Sequence, residues 1–74
     1  PPGRPAAVVT RALWSACNGS QWSAAQLLVE HGADVNWVGW DDLTPLDLAE
    51  RHDATDLAAW LRTHGARTAA ELMA

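Results

Sequence analysis

Leu27-Leu28-Val29-Glu30-His31-Gly32-Ala33 returns 33 residues downstream as Trp60-Leu61-Arg62-Thr63-His64-Gly65-Ala66. The offset extends well beyond this stretch. Laying residues 11–34 on 44–67 gives seven identities in 24 pairs, against roughly two that this composition gives by chance. The identities are Leu13/Leu46, Ala16/Ala49, Ala25/Ala58, Leu28/Leu61, His31/His64, Gly32/Gly65 and Ala33/Ala66. Apolar matches fall at helix-packing spacing, and both copies close on a glycine, the residue that takes a left-handed helix C-cap without strain. A duplicated unit of helix, turn, helix and extended loop follows.

Each element has its own signals. Thr44-Pro45-Leu46-Asp47 is a helix start: Thr44 caps, Pro45 suits the first helical position, and Asp47 can reach back as in a capping box. Leu46, Leu48 and Ala49 supply the inner face, and Arg51-His52-Asp53 breaks the pattern. Asp53, with Asp56 three residues on, is expected to start the next helix, which carries Leu57, Trp60 and Leu61 to Gly65. In the first unit a helix is expected from about Thr10 to Cys17, a turn at Asn18-Gly19-Ser20, and a second helix carrying Ala25, Leu27 and Leu28 to Gly32. Thr68-Ala69-Ala70-Glu71 is another capping box, which predicts a short helix over 69–73. Residues 34–43, rich in Asp, Asn and Gly, read as a turn-rich finger between the units. The expected organisation is a flexible lead-in over 1–9, two repeats over about 10–36 and 37–67, and a helical cap over 68–74.

These residues resemble the ankyrin repeat. Thr44-Pro45-Leu46-Asp47-Leu48-Ala49 is similar to the family's T-P-L-H-x-A motif. Leu27-Leu28-Val29-Glu30-His31-Gly32-Ala33-Asp34-Val35-Asn36 is similar to its L-L-L-x-x-G-A-D-V-N motif. The resemblance covers roughly residues 10–67 and implies an all-α helix-turn-helix solenoid of two repeats. There are departures. Asp47 and Trp14 stand where the motif has His, Arg11-Ala12 replaces Thr-Pro in the first unit, and Asp42 replaces the usual finger glycine. Two repeats fall short of the three or so that such arrays need. The chain, which begins at Pro1, is therefore expected to be the end of a longer array or to compensate by self-association or large core residues.

Composition narrows the function. The chain has 74 residues, five Arg, no Lys and nine acids, for a net charge of −4. Nucleic acids and anionic membranes both call for clustered basic residues, and none are clustered here. No apolar run reaches the roughly 18 residues of a membrane span. The single Cys17 rules out an internal disulfide and fits a reducing, cytoplasmic setting. No phosphate loop, nucleophile elbow or zinc spacing is present, and Asp41-Asp42 are adjacent loop residues that do not converge on one substrate. No enzyme, cofactor or metal is expected.

Five tryptophans are the only aromatic residues. Trp60 stands at a Leu position and reads as core. Trp14 reads as core or as a stacking surface, and Trp22 as half-exposed on the convex side. Trp37 is balanced between packing on the adjacent helix and facing outward, and Trp40 is expected to be exposed and to contact something. His31 and His64 precede helix-terminal glycines, where a cationic ring suits the dipole.

The resemblance implies a protein-binding surface formed by the finger and first-helix positions Val38, Trp40, Asp41, Leu43, Arg51 and His52. Six of the nine acids lie within 41–56. The expected partner is therefore a protein presenting an apolar patch flanked by basic residues. The alternative is a set of structural capping repeats of a longer chain, or a homodimer, with no separate partner.

Overall fold

The computed structural model describes residues 6–74. Its helices are α1 (Ala6–Asn18), α2 (Trp22–Glu30), α3 (Pro45–Arg51), α4 (Thr55–Thr63) and α5 (Ala69–Met73). Among the described residues all regular structure is helical. α1 packs on α2 within the first unit and α3 on α4 within the second, while α1 and α3 pack side by side across the units. The inner pair α1/α3 and the outer pair α2/α4 thus form two layers of one short solenoid.

The first helix begins four residues earlier than Thr10. Ala6-Ala7 are the strongest helix formers available, and the added turn delivers Val9 and Thr10 into buried positions. The remainder of the expected lead-in, residues 1–5, lies outside the described residues.

The core is one cluster. Leu13 of α1, Leu46 and Leu48 of α3 and Leu61 of α4 are fully enclosed, with Cys17, Ala25, Ala49 and Leu57 between them. Burial pushes the Cys17 thiol up to about 12 by desolvation, so it stays protonated and unreactive. Ellman's reagent at pH 8 should therefore modify Cys17 only after denaturation. Stoichiometric labelling of the native chain within minutes would contradict this packing.

Leu27 is not core: it is 54% exposed. On α2 the buried Ala25 and the half-buried Leu28 and Val29 lie at i, i+3 and i+4, and Leu27 falls about 200° away on the same wheel. Its matching partner Trp60 is half-buried, so the repeat conserves spacing here but not burial.

All four long-range helix ends close alike. After each of α1, α2, α3 and α4 the amide two residues beyond the C-cap bonds back to the third carbonyl from the helix end. These pairs are Gln21 N to Ala16 O at 2.8 Å, Ala33 N to Leu28 O at 3.1 Å, Ala54 N to Ala49 O at 2.8 Å, and Ala66 N to Leu61 O at 3.0 Å. This Schellman arrangement requires a left-handed residue between. The outer helices place glycine there, Gly32 at φ +92° and Gly65 at +84°, whereas the inner helices use Ser20 and Asp53, both at φ +55°. Asp53 therefore ends α3 rather than starting α4, whose N-cap Ala54 has no side-chain cap. Removing the Cβ penalty should stabilise: Asp53→Gly and Ser20→Gly are each expected to add about 1 kcal/mol, read as a rise in the urea midpoint with an unchanged slope.

Capping boxes hold α3 and α5 as their sequences predict. Thr44 accepts from Asp47 N at 3.2 Å while Asp47 Oδ2 accepts from Thr44 N at 2.9 Å. Thr68 and Glu71 do the same at 3.2 and 2.8 Å. The Thr68 amide, aided by the nearby Arg62 guanidinium, holds the Glu71 carboxyl below its ordinary range. Asp47 Oδ2 also accepts from Ala69 N at 2.9 Å, tying α5 to α3. Asn36 spans the units through its amide: Nδ2 donates to Gly65 O at 3.1 Å and Oδ1 accepts from Arg67 N at 2.7 Å.

Candidate interaction surface

The finger is built from its own turns. Asp34 Oδ1 accepts from Asn36 N at 2.9 Å, an Asx turn that reverses the chain out of the first unit. Further on, Gly39 N donates to Leu43 O at 2.9 Å and Leu43 N to Trp40 O at 3.3 Å. The intervening Asp41 and Asp42 are both left-handed, at φ 60° and 57°, as a type I′ turn requires. Aspartate tolerates this conformation better than most residues, so Asp42 fills the usual glycine place and the tight turn survives.

Three tryptophans organise the finger's base. Trp14 of α1 donates its indole N–H to Leu43 O at 2.8 Å, pinning the finger to the inner helix. Its ring meets Trp40 edge-on with centroids 5.1 Å apart and Trp37 at 6.3 Å, and Trp37 meets Trp40 at 5.9 Å. Edge-to-face pairs at these separations are favourable beyond their area. The close approach depends on Gly39, because a Cβ there would lie 2.5 Å from Trp14 Nε1 and 2.7 Å from Trp37 Cζ3. Trp37 is half-buried in this cluster.

A second aromatic group lies on the outer layer. Trp22 packs edge-on against Trp60 with centroids 5.5 Å apart, and Trp60 lies 4.2 Å from the His64 ring. Trp22, 37% exposed, thereby gains a structural account: it covers the half-buried Trp60 of the next unit.

The six sequence-derived positions separate in space. Val38 and Trp40 stand out from the finger, 42% and 60% exposed, and Asp41 is exposed in the turn beside them. Leu43 faces the other way, half-buried against the core, because its carbonyl must meet both Trp14 and Gly39. Arg51 and His52 are exposed at the far end of α3. There His52 Nε2 lies 3.1 Å from Asn18 Oδ1, a link between the inner helices rather than a contact with the finger. Sequence reasoning passed over Arg11, which α1 sets against Trp37, Val38 and Trp40. The only signal was its place one helical turn before Trp14.

Residues 11–40 match the family model of the ankyrin repeat. That stretch, the first unit, is similar to an ankyrin repeat. No curated protein and no solved structure matches it significantly. The matched ankyrin unit is the one with Arg11-Ala12 in place of Thr-Pro, and it is the unit that keeps its finger. In the second unit, α3 and α4 repeat the helix-turn-helix plan, but the Thr68 cap follows Arg67 directly and leaves no room for a second finger. Ankyrin repeats generally bind other proteins and do not catalyse reactions. No described helix is long and apolar enough to cross a membrane.

Proposed function

We propose that the chain is a non-catalytic protein-interaction module that contacts its partner through the finger, with Val38, Trp40 and Asp41 at the centre and Arg51 and His52 at the edge of the inner-helix face. Leu43 supports the finger from below and does not touch the partner. The observation that carries this reading is Trp40, held outward by Trp14 and Trp37 with most of its ring in solvent. An exposed tryptophan on a rigid base is the residue most enriched among binding hot spots, and its ordering cost on binding is already met by the fold. The acids beside it favour a partner whose apolar patch is bordered by Arg or Lys.

The test is the affinity of an isolated partner for variant chains. Val38→Ser with Trp40→Ala should weaken binding by at least about tenfold, corresponding to the roughly 2 kcal/mol of a hot spot, whereas Leu27→Ser on the outer layer should leave it unchanged. Equal loss from both would move the interface away from the finger.

A further inference from the structure

Arg11 and the finger border a shallow, open hollow of about 220 Å³ lined by Arg11, Trp37, Val38, Gly39 and Trp40. It opens beside a second hollow of about 270 Å³ that shares Arg11 and Trp37 and runs along α1 past Ala7 and Thr10. Among the described residues, no carboxylate pairs with Arg11; the ion pairs belong to Arg62, with Glu50 and Glu71. Asp34 lies on the adjoining hollow, but its carboxylate is turned into its own loop, accepting from Asn36 N. The indole N–H of Trp14 is used by Leu43 O, while those of Trp37 and Trp40 have no acceptor among the described residues. The side-chain polar groups of the residues that line the 220 Å³ hollow are therefore all donors: one guanidinium and two indole N–H groups. The remaining lining comes from the two indole rings, a valine and a glycine.

We infer that this hollow binds the C-terminal residue of a peptide, its aliphatic side chain on the tryptophans and its carboxylate on Arg11. The inference rests on the interaction reading above and assigns one subsite within it. A carboxylate is the side-chain or terminal group that accepts without donating, and it matches a guanidinium in paired geometry. A single cation on the wall of a space about one residue wide fits an apolar group and a carboxylate carried by the same residue. A terminal leucine or valine has both. An internal glutamate next to a leucine would have to place its carboxylate a side chain's length away.

The experiment is a titration of the ¹⁵N-labelled full chain, followed at the five indole N–H signals, with N-acetyl-leucine, N-acetyl-leucinamide and acetyl-Glu-Leu-amide at constant ionic strength. N-acetyl-leucine is expected to shift the Trp37 and Trp40 signals saturably while those of Trp22 and Trp60 stay in place. The amide should bind about tenfold more weakly, the loss of one charge-assisted contact. Arg11→Gln, a change at an exposed position, should remove the preference for the acid without altering the Trp22 and Trp60 signals. Equal affinity for acid and amide, or a preference unaffected by Arg11→Gln, overturns the assignment of Arg11. The absence of any saturable shift overturns the subsite. Binding of acetyl-Glu-Leu-amide as tight as that of N-acetyl-leucine overturns the C-terminal assignment. If a protein partner still requires Val38 and Trp40 but is not displaced by N-acetyl-leucine, the interaction module stands and the subsite falls.

Discussion

Trp14→Ala is expected to lower folding stability by about 3 kcal/mol, near the lower end for a large aromatic truncation because the ring is only half-buried. A chain of this size starts from a small margin, so the variant should be substantially unfolded at temperatures the parent tolerates. The loss has separable parts. Trp14 fills the space beneath the finger, makes edge-on contacts with Trp37 and Trp40, and donates to Leu43 O. Trp14→Phe keeps most of the ring and removes the donor. Because Gly39 N still bonds the Leu43 carbonyl, no buried acceptor is orphaned, and that variant should cost about 1 kcal/mol. Urea unfolding measures both, and near-ultraviolet circular dichroism should show the tryptophan signal collapse in Trp14→Ala and persist, reduced, in Trp14→Phe. A Trp14→Ala protein within a few tenths of a kcal/mol of the parent would mean that the finger is not held from below.

Much of this fold is written in local patterns. The 33-residue offset, the Thr44 and Thr68 capping boxes and the glycines after α2 and α4 depend on residues within a few positions of one another, and the structure follows them closely. Where the structure departs from these patterns, either two local signals compete, as at Asp53, or the deciding interaction is not local, as at Leu43 and Trp22. Asp53 looks like an N-cap because Asp caps helices, but the Schellman closure of α3 needs a left-handed residue at that position and Asp is among the few that accept it. Leu43 looks exposed because it sits in a polar loop. Its orientation is set by Trp14, 29 residues earlier, and no periodicity connects the two. Trp22 is explained by Trp60 on the neighbouring unit, a pairing that appears only once the outer helices are side by side. The separation of Arg51 and His52 from the finger has the same cause: positions that share a surface in the family's motif are distributed along α3, and here His52 is engaged by Asn18.

The two motif positions that depart from the family's histidine carry related duties by different chemistry. Trp14 and Asp47 are equivalent under the 33-residue offset, and each reaches forward to the segment that follows its unit. Trp14 donates an N–H to the finger at Leu43 O, and Asp47 accepts from Ala69 N at the start of α5. The difference follows from what comes next. The first unit is followed by a finger that presents a carbonyl, so a donor is needed. The second is followed at once by a helix N-terminus with unpaired amides, so an acceptor is needed. Exchanging these side chains would leave each facing a group of its own kind.

Gly39→Ala supplies the second large effect, and it tests the finger from above. The new methyl would meet Trp14 Nε1 at 2.5 Å, Trp14 Cε2 at 2.7 Å and Trp37 Cζ3 at 2.7 Å. All three atoms belong to rings fixed by packing or by the bond to Leu43 O, so relief requires the finger to lift. Overpacking of this kind should cost about 2 kcal/mol. Gly32 and Gly65 make a contrast: nothing lies within 4 Å of a Cβ there, and the objection to alanine is the positive φ alone, worth about 1 kcal/mol. The steric origin at Gly39 has a signature in a double-mutant cycle. On a Trp14→Leu background, with the facing indole gone, Gly39→Ala should cost about half of its effect in the parent, a coupling of about 1 kcal/mol. Additive losses would place the strain in the backbone. Because lifting the finger also displaces Trp40, Gly39→Ala should weaken partner binding even though residue 39 lies between the contact residues and not among them, and the loss should be recovered together with stability on the Trp14→Leu background only to the extent that Trp37 alone can hold Trp40 in place.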